Sequence, residues 1–367
     1  MRLRYLLPYL ALVVVGCGHE QPFETRGFSS DQPFRPGVPA RLTFNPGTDL
    51  HPAWTPDGAS LLYAWQQSGQ PVIDRCIGEM AATGGTLTGA ICNPNPPSAD
   101  SADLFDLPAV SPGGRLLYVR ATSLPGRLAP HAAGIFLATL ADPLAATQLL
   151  TLPYVVPGGS AHGGISHSAW VNDSRLIYVG LEVTYKPASQ VTGPADTLIA
   201  GLEIVDLTLG GSQPTITIVP GTYGATSAAL SDGKDTLYYT LEQDSIVYRR
   251  VLATGQVSVA HDFGARGVAR DVTVLGNRLV AVVGGVVQPP GGPDVPDAGP
   301  LVSVDLDTGA EFILPTETSL LFRRPAFSPA GGTVRLVAEG YPATFGPPPA
   351  FDTTVTKLAD LYLYTAP

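Results

Sequence analysis

A chain of 367 residues holds either two average domains or one large all-β repeat domain, and its 44% hydrophobic content supports a sizeable core. Its net charge is −10, with no basic cluster in the mature region. Phosphate neutralisation needs Lys and Arg in excess, so nucleic acid is excluded as a partner. Gly (41) and Pro (36) are both abundant, as in a chain that turns often.

Arg2 and Arg4 precede an apolar run from Tyr5 to Val15, interrupted by Pro8. The run is short of the roughly 20 residues that span a bilayer. It fits the apolar region of a secretory signal peptide, so residues 1–16 are read as one. The run ends in Val14-Val15-Gly16-Cys17, which resembles the bacterial lipobox. That resemblance implies cleavage before Cys17, acylation of its thiol and amino group, and a stable lipid anchor in the envelope. Gly18 stands where an Asp is the usual inner-membrane retention signal, which favours the outer membrane in a cell that has one. Residues 17–39 are polar, Pro-rich and without period, the composition of a flexible tether.

From residue 40 onward one unit recurs: small residues, a large apolar one, a polar turn, then an apolar strand. It reads Pro52-Ala-Trp54-Thr-Pro-Asp-Gly58 with Leu61-Leu62-Tyr63, then Pro108-Ala-Val110-Ser-Pro-Gly-Gly114 with Leu116-Leu117-Tyr118. The third and fourth copies are Ser168-Ala-Trp170 with Leu176-Ile177-Tyr178, and Ser227-Ala-Ala229 with Leu237-Tyr238-Tyr239. A weaker fifth is Asp271-Val-Thr273 with Leu279-Val280-Ala281, and the sixth is Pro325-Ala-Phe327 with Val334-Arg335-Leu336. The third residues of these copies, 54, 110, 170, 229, 273 and 327, lie 44 to 60 residues apart, close to the period of a four-stranded blade with long loops. A second hairpin follows each motif, as in Glu203–Leu207 with Thr215–Val219. The last unit lacks one outer strand, and Arg41-Leu-Thr-Phe44 is the segment available to supply it. The expectation is an all-β, six-bladed β-propeller over residues 40–367, with four-stranded antiparallel blades and closure by the N-terminal strand.

The wording of the repeats, above all RLTFNPGTDLHPAWTPDGASLLY, resembles the WD40-like repeat of TolB-type propellers. Members of that family are mostly binding or scaffolding proteins. The resemblance therefore implies a non-catalytic module at the envelope, with a protein or peptidoglycan-associated partner and no cofactor. The alternative is a channel-site binder of a small ligand, or a metal-dependent hydrolase or lactonase.

Cys76 and Cys92 lie symmetrically about Gly84 in the outer hairpin of the first unit, which places them face to face and predicts a disulfide. Aligning the repeats picks out one equivalent residue just before each motif, His51, Leu107, His167, Thr226, Arg270 and Arg324, and the resemblance implies that all six ring one mouth of the central channel. Such a ring reads either as a site for an anionic group or as ordinary polar lining of a water-filled channel. It contains no carboxylate, which speaks against a metal; a register one residue off brings in Asp106 and Asp271. His162, in a Gly-rich stretch, reads as part of a structural loop, since no Gly-x-Ser-x-Gly elbow is present. Asp305-Leu-Asp307-Thr-Gly309 lacks the full calcium-loop spacing and reads as a blade turn. Two insertions, 288–300 and 341–353, carry no assignable role.

Overall fold

Each repeat places a turn-forming pair such as Asp57-Gly58 or Gly113-Gly114 between two apolar runs, and each becomes a hairpin. Gly58 and Gly114 take φ of +65° and +80°, where a side chain would be strained. Thr55 stitches the first turn, its hydroxyl donating to Asp57 (2.7 Å) and accepting the Ser60 N–H (3.0 Å). The structure is a computed structural model that describes residues 38–45, 47–66, 75–92, 102–123, 132–155, 161–185, 197–210, 213–285, 298–316, 320–329, 332–345, 353–355 and 358–365. Cys17, the signal segment and nearly all of the tether lie outside these residues.

Six antiparallel sheets result. Blade one runs Asp49–Trp54, Ser60–Trp65, Cys76–Ala81 and Leu87–Ile91. Blade two runs Ala102–Val110, Arg115–Ser123, Ala132–Thr139 and Asp142–Leu152. Blade three runs Ala161–Asn172, Arg175–Tyr185, Thr197–Thr208 and Thr215–Ile218, with Tyr154–Val155 added inside. Blade four runs Ala225–Leu230, Thr236–Leu241, Ile246–Val251 and Val257–Asp262. Blade five runs Ala269–Leu275, Arg278–Val283, Leu301–Asp305 and Glu311–Ile313, a regular sheet in spite of its weak motif. Blade six runs Leu320–Phe327, Arg335–Phe345 and Asp360–Thr365, and its outermost strand is Ala40–Arg41 from the other end of the chain.

The second strand of each blade is covered on both faces by neighbouring blades, so it reads as an unbroken apolar run. Leu61 packs toward blade six, among Leu42, Val337 and Leu361. Its neighbour Leu62 faces the other way, toward Phe105, Leu116 and Tyr118 of blade two. Each of the six seams holds one such apolar cluster. Burying a Leu of this kind contributes about 1.5–3 kcal/mol. Outer strands lose one neighbour and alternate, as the exposed and half-buried residues of Thr215–Ile218 do.

The ring closes as the strand count requires. Ala40 pairs with Leu363 and Arg41 with Tyr362, and Leu42 N–H donates to the Leu361 carbonyl at 2.7 Å. Arg41 Nη2 meets Asp360 Oδ2 at 2.7 Å. In the outer hairpin of blade one, Ile77 pairs with Ile91, which brings Cys76 opposite Cys92 with Cα atoms 4.8 Å apart in a disulfide.

Two readings change. His162 belongs to a strand, its backbone paired with Tyr154 and Glu182, rather than to a loop. Of the second insertion, residues 341–345 continue the second strand of blade six and Thr353–Val355 pairs back on them; most of 288–300 lies outside the described residues.

Candidate functional site

The innermost strands carry a shared irregularity that builds the channel floor. In five blades the ladder to the second strand slips, between Leu50 and Ala53, Asp106 and Ala109, Ser166 and Ala169, Arg270 and Thr273, and Arg323 and Ala326. In each slip one non-glycine residue has positive φ: His51 (56°), Leu107 (53°), His167 (46°), Asp271 (47°) and Arg324 (46°). Left-handed backbone at such residues is held only where surrounding bonds enforce it. Blade four slips by a single residue, between Ala225 and Ser227, without positive φ.

The structure thus brings together four of the expected ring residues, His51, Leu107, His167 and Arg324, and corrects the other two. Leu230 pairs with Leu237 and Val274 with Leu279, as Trp54 pairs with Leu61. The motifs of blades four and five are therefore displaced by one residue. Ser227 and Asp271 stand where Thr226 and Arg270 were expected. Thr226 bonds the Thr240 hydroxyl (2.8 Å), and buried Arg270 donates to the Gly284 carbonyl behind the floor.

Three buried carboxylates organise this floor. Asp106 bonds His51 Nδ1, takes Arg75 Nη1 at 3.0 Å and caps the Leu107 N–H at 2.8 Å. Asp271 takes His167 Nε2 at 2.8 Å, Arg323 Nε at 3.2 Å and the Arg324 N–H at 3.0 Å. Glu339, in the second strand of blade six, accepts the His51 N–H at 2.7 Å and the Tyr341 hydroxyl at 2.8 Å. The N–H of a positive-φ residue cannot join its own ladder, and a carboxylate beside it supplies the missing acceptor. Two of these caps cross a blade seam, Glu339 to His51 and Asp271 to Arg324. Burial acts to raise the Asp106 carboxyl, but His51 and Arg75 outweigh it and hold the group at about 2. Burial likewise opposes ionisation of Asp271, and Arg323, His167 and Arg324 together hold it well below the usual carboxylate range. The floor is thus a neutralised network rather than the positive field that the basic residues alone suggested.

Above the floor the channel encloses about 500 Å³, within the roughly 300–1,000 Å³ of small-ligand sites. Its wall includes Pro52, Pro108 and Pro325 beside the bulges, and Pro56, Pro112 and Pro329 at the far end. The indoles of Trp54 and Trp170 seal the wall by donating across seams to Ala326 O (2.9 Å) and Ala109 O (3.2 Å).

One arrangement imitates a nucleophilic relay. The Ser166 hydroxyl lies 2.6 Å from His167 Nδ1, and His167 Nε2 lies 2.8 Å from Asp271. A general base works best with a pKa near the operating pH. Burial and then the Arg324 charge depress His167 to about 4, against the pull of Asp271. Asp271 is itself satisfied by two arginine residues, so it has little capacity left to support an imidazolium. What the geometry shows is a clamp on the His167 ring, held at Nδ1 by Ser166 and at Nε2 by Asp271. Among the described residues no three His, Cys, Asp or Glu side chains are placed to hold a metal ion. Sequence reasoning missed Glu339 because it lies in a second strand, outside the compared motif.

No family model matches the sequence, and no curated protein matches it. Among solved structures, the chain is similar to a gluconolactonase from Xanthomonas campestris (14% identity, TM-score 0.54, covering 89% of this chain and 88% of that one). It is also similar to a putative TolB from Agrobacterium tumefaciens (15%, 0.46, 89% and 93%) and to TolB from Acinetobacter baumannii (16%, 0.43, 90% and 68%). At such identities the likeness is one of architecture, and what these comparisons establish is an all-β propeller fold.

Proposed function

We propose that this protein is a non-catalytic binding module of the bacterial envelope, anchored through lipidated Cys17, that receives part of a partner protein in its central channel. The observation that carries the reading is the pairing of an open, proline-walled channel with a floor whose carboxylates are spent on the protein's own donors. Asp106, Asp271 and Glu339 each hold two or three protein groups, so recruiting them to a metal would first break those bonds. The TolB-type wording of the repeats supports the same reading, by fold-level analogy.

Ser168 lies in the blade-three bulge, partly exposed and on the channel wall. Ser168→Trp fills the channel without touching the floor network. Envelope extracts are passed over wild type and variant, with circular dichroism to show that both fold. A partner retained by wild type and lost by S168W is the expected result; equal capture by both sinks the channel reading and moves the interface to the outer blade faces. For the anchor, Cys17→Ser is expected to release the protein from membranes, and a variant that stays membrane-bound refutes lipidation.

A further inference from the structure

Two groups on the channel floor are left open among the described residues. Among the described residues, neither terminal nitrogen of Arg324 has a hydrogen-bond partner; its nearest anion is Glu339 Oε1, 3.8 Å from Nε. His51 is fixed through Nδ1 on Asp106, and its Nε2 has no partner among the described residues. Both side chains line the channel, at only 17% and 15% exposure. The two residues come from adjoining blades, and Glu339 Oε1 ties them together, since it accepts the main-chain N–H of His51 at 2.7 Å and faces Arg324 Nε.

A guanidinium has five donors in a planar fork that matches a carboxylate. Leaving its two ends unpaired in a confined channel is unfavourable unless water or an anion takes them. The imidazole adds a second constraint. Asp106 accepts from Nδ1, so Nδ1 carries the hydrogen, and the uncharged form of the ring presents Nε2 as an acceptor. The channel therefore offers a carboxylate fork from blade six and an acceptor for an N–H from the adjoining blade one. An N-acylated amino acid, the carboxyl-terminal end of a polypeptide, presents those two groups side by side.

We propose that the channel floor binds the terminal carboxylate of an extended polypeptide, with Arg324 taking the carboxylate and His51 Nε2 accepting the last amide N–H. The inference rests on the channel reading above and names its ligand. The proline walls pack against the preceding residues, and the rigid floor network sets the depth at which the chain stops. Arg323 and His167 do not contribute, since both are already engaged with Asp271. Thr226 and Arg270 lie off the channel wall.

The test is calorimetric titration of the full chain with three probes: acetyl-Ala-Ala-Ala as the free acid, the same peptide as its carboxyl-terminal amide, and hexanoate, a carboxylate without the N–H. The acid is expected to bind at least about tenfold more tightly than either other probe. Arg324→Gln is expected to erase the preference for acid over amide, with circular dichroism to show that the variant folds, because it removes the guanidinium fork that faces the channel. Arg324→Lys, which keeps a point charge, is expected to retain part of it. Equal binding of acid and amide, a preference that survives R324Q, or the absence of binding by all three overturns the inference. Hexanoate binding as tightly as the peptide acid overturns the role given to His51 and with it the polypeptide end. Partner capture that survives R324Q but fails in S168W leaves the channel reading standing while the carboxylate inference falls.

Discussion

Asp49 opens the innermost strand of blade one at the seam where the ring closes, and its N–H donates to the Ala359 carbonyl of blade six at 2.8 Å. Its carboxyl is fully buried, with neither oxygen in a hydrogen bond. Burial pushes the group well above the usual range, and Asp360 nearby pushes the same way. Thr43, Asn45 and Arg41 pull in the opposite direction, without bringing a donor into hydrogen-bonding geometry. A carboxyl whose folded value exceeds its unfolded one binds more protons when folded. Its favourable contribution is therefore present at low pH and declines as pH rises from the unfolded value, near 4, toward the folded one. The limiting slope for one group is about 1.4 kcal/mol per pH unit. Asp49→Asn removes that slope and keeps the shape. Urea unfolding of both proteins at pH 4, 5, 6, 7 and 8 isolates this group, since shared carboxylates cancel in the difference. Relative to wild type, the variant is expected to gain about 1 kcal/mol between pH 4 and 5, and to gain further until the folded value is passed. A difference that stays flat from pH 4 to 8 refutes the reasoning.

Three further outcomes follow from the same geometry. Cys76→Ser/Cys92→Ser opens a loop of sequence separation 16 and is expected to cost about 3 kcal/mol in urea unfolding; no loss would show that the bond does not constrain the unfolded chain. His167, depressed to about 4 by burial and by Arg324, is expected to stay neutral down to about pH 5 in NMR titration. The stability associated with this neutral ring is complete above about pH 6.5, the unfolded value, and is lost as pH falls toward the folded one; titration near 6.5 would sink the clamp assignment. Asp271→Ala leaves His167, Arg323 and the Arg324 N–H without their shared acceptor, at an expected cost of about 3–5 kcal/mol; a loss below about 1 kcal/mol would mean that the floor tolerates an opened bulge.

The blade pattern was legible because turn chemistry and apolar runs recur together, and the disulfide because two Cys sit symmetrically about Gly84. The missing outer strand was legible as a strand-count deficit, which Ala40–Arg41 fills. The floor was only partly legible. In blades one, two, three and six a large apolar residue marks the motif, and His51, Leu107, His167 and Arg324 fall into place. Blade four carries Ala228-Ala229-Leu230, where Ala229 passed for the marker and Leu230 is the residue that pairs in register. Blade five carries the alternation Val272-Thr273-Val274, which supports either register equally. The handedness of the bulge decided it, with positive φ at Asp271, and backbone handedness leaves little trace in residue type outside glycine. Glu339 had no signal at all, since a lone acid in an apolar strand gains meaning only from the His51 N–H that it meets across the seam.

The pairing of Ala40–Arg41 with Tyr362 and Leu363 also dictates an order of events during biogenesis. Closing a loop of more than three hundred residues costs more entropy than forming a contact within one blade, which favours late formation of this pairing. Until this seam forms, Trp54 and Leu61 of the first blade lack Leu42, Val337 and Leu361, which cover them in the closed ring. A folding chain therefore passes through an open horseshoe whose two end blades stay sticky until this one seam forms.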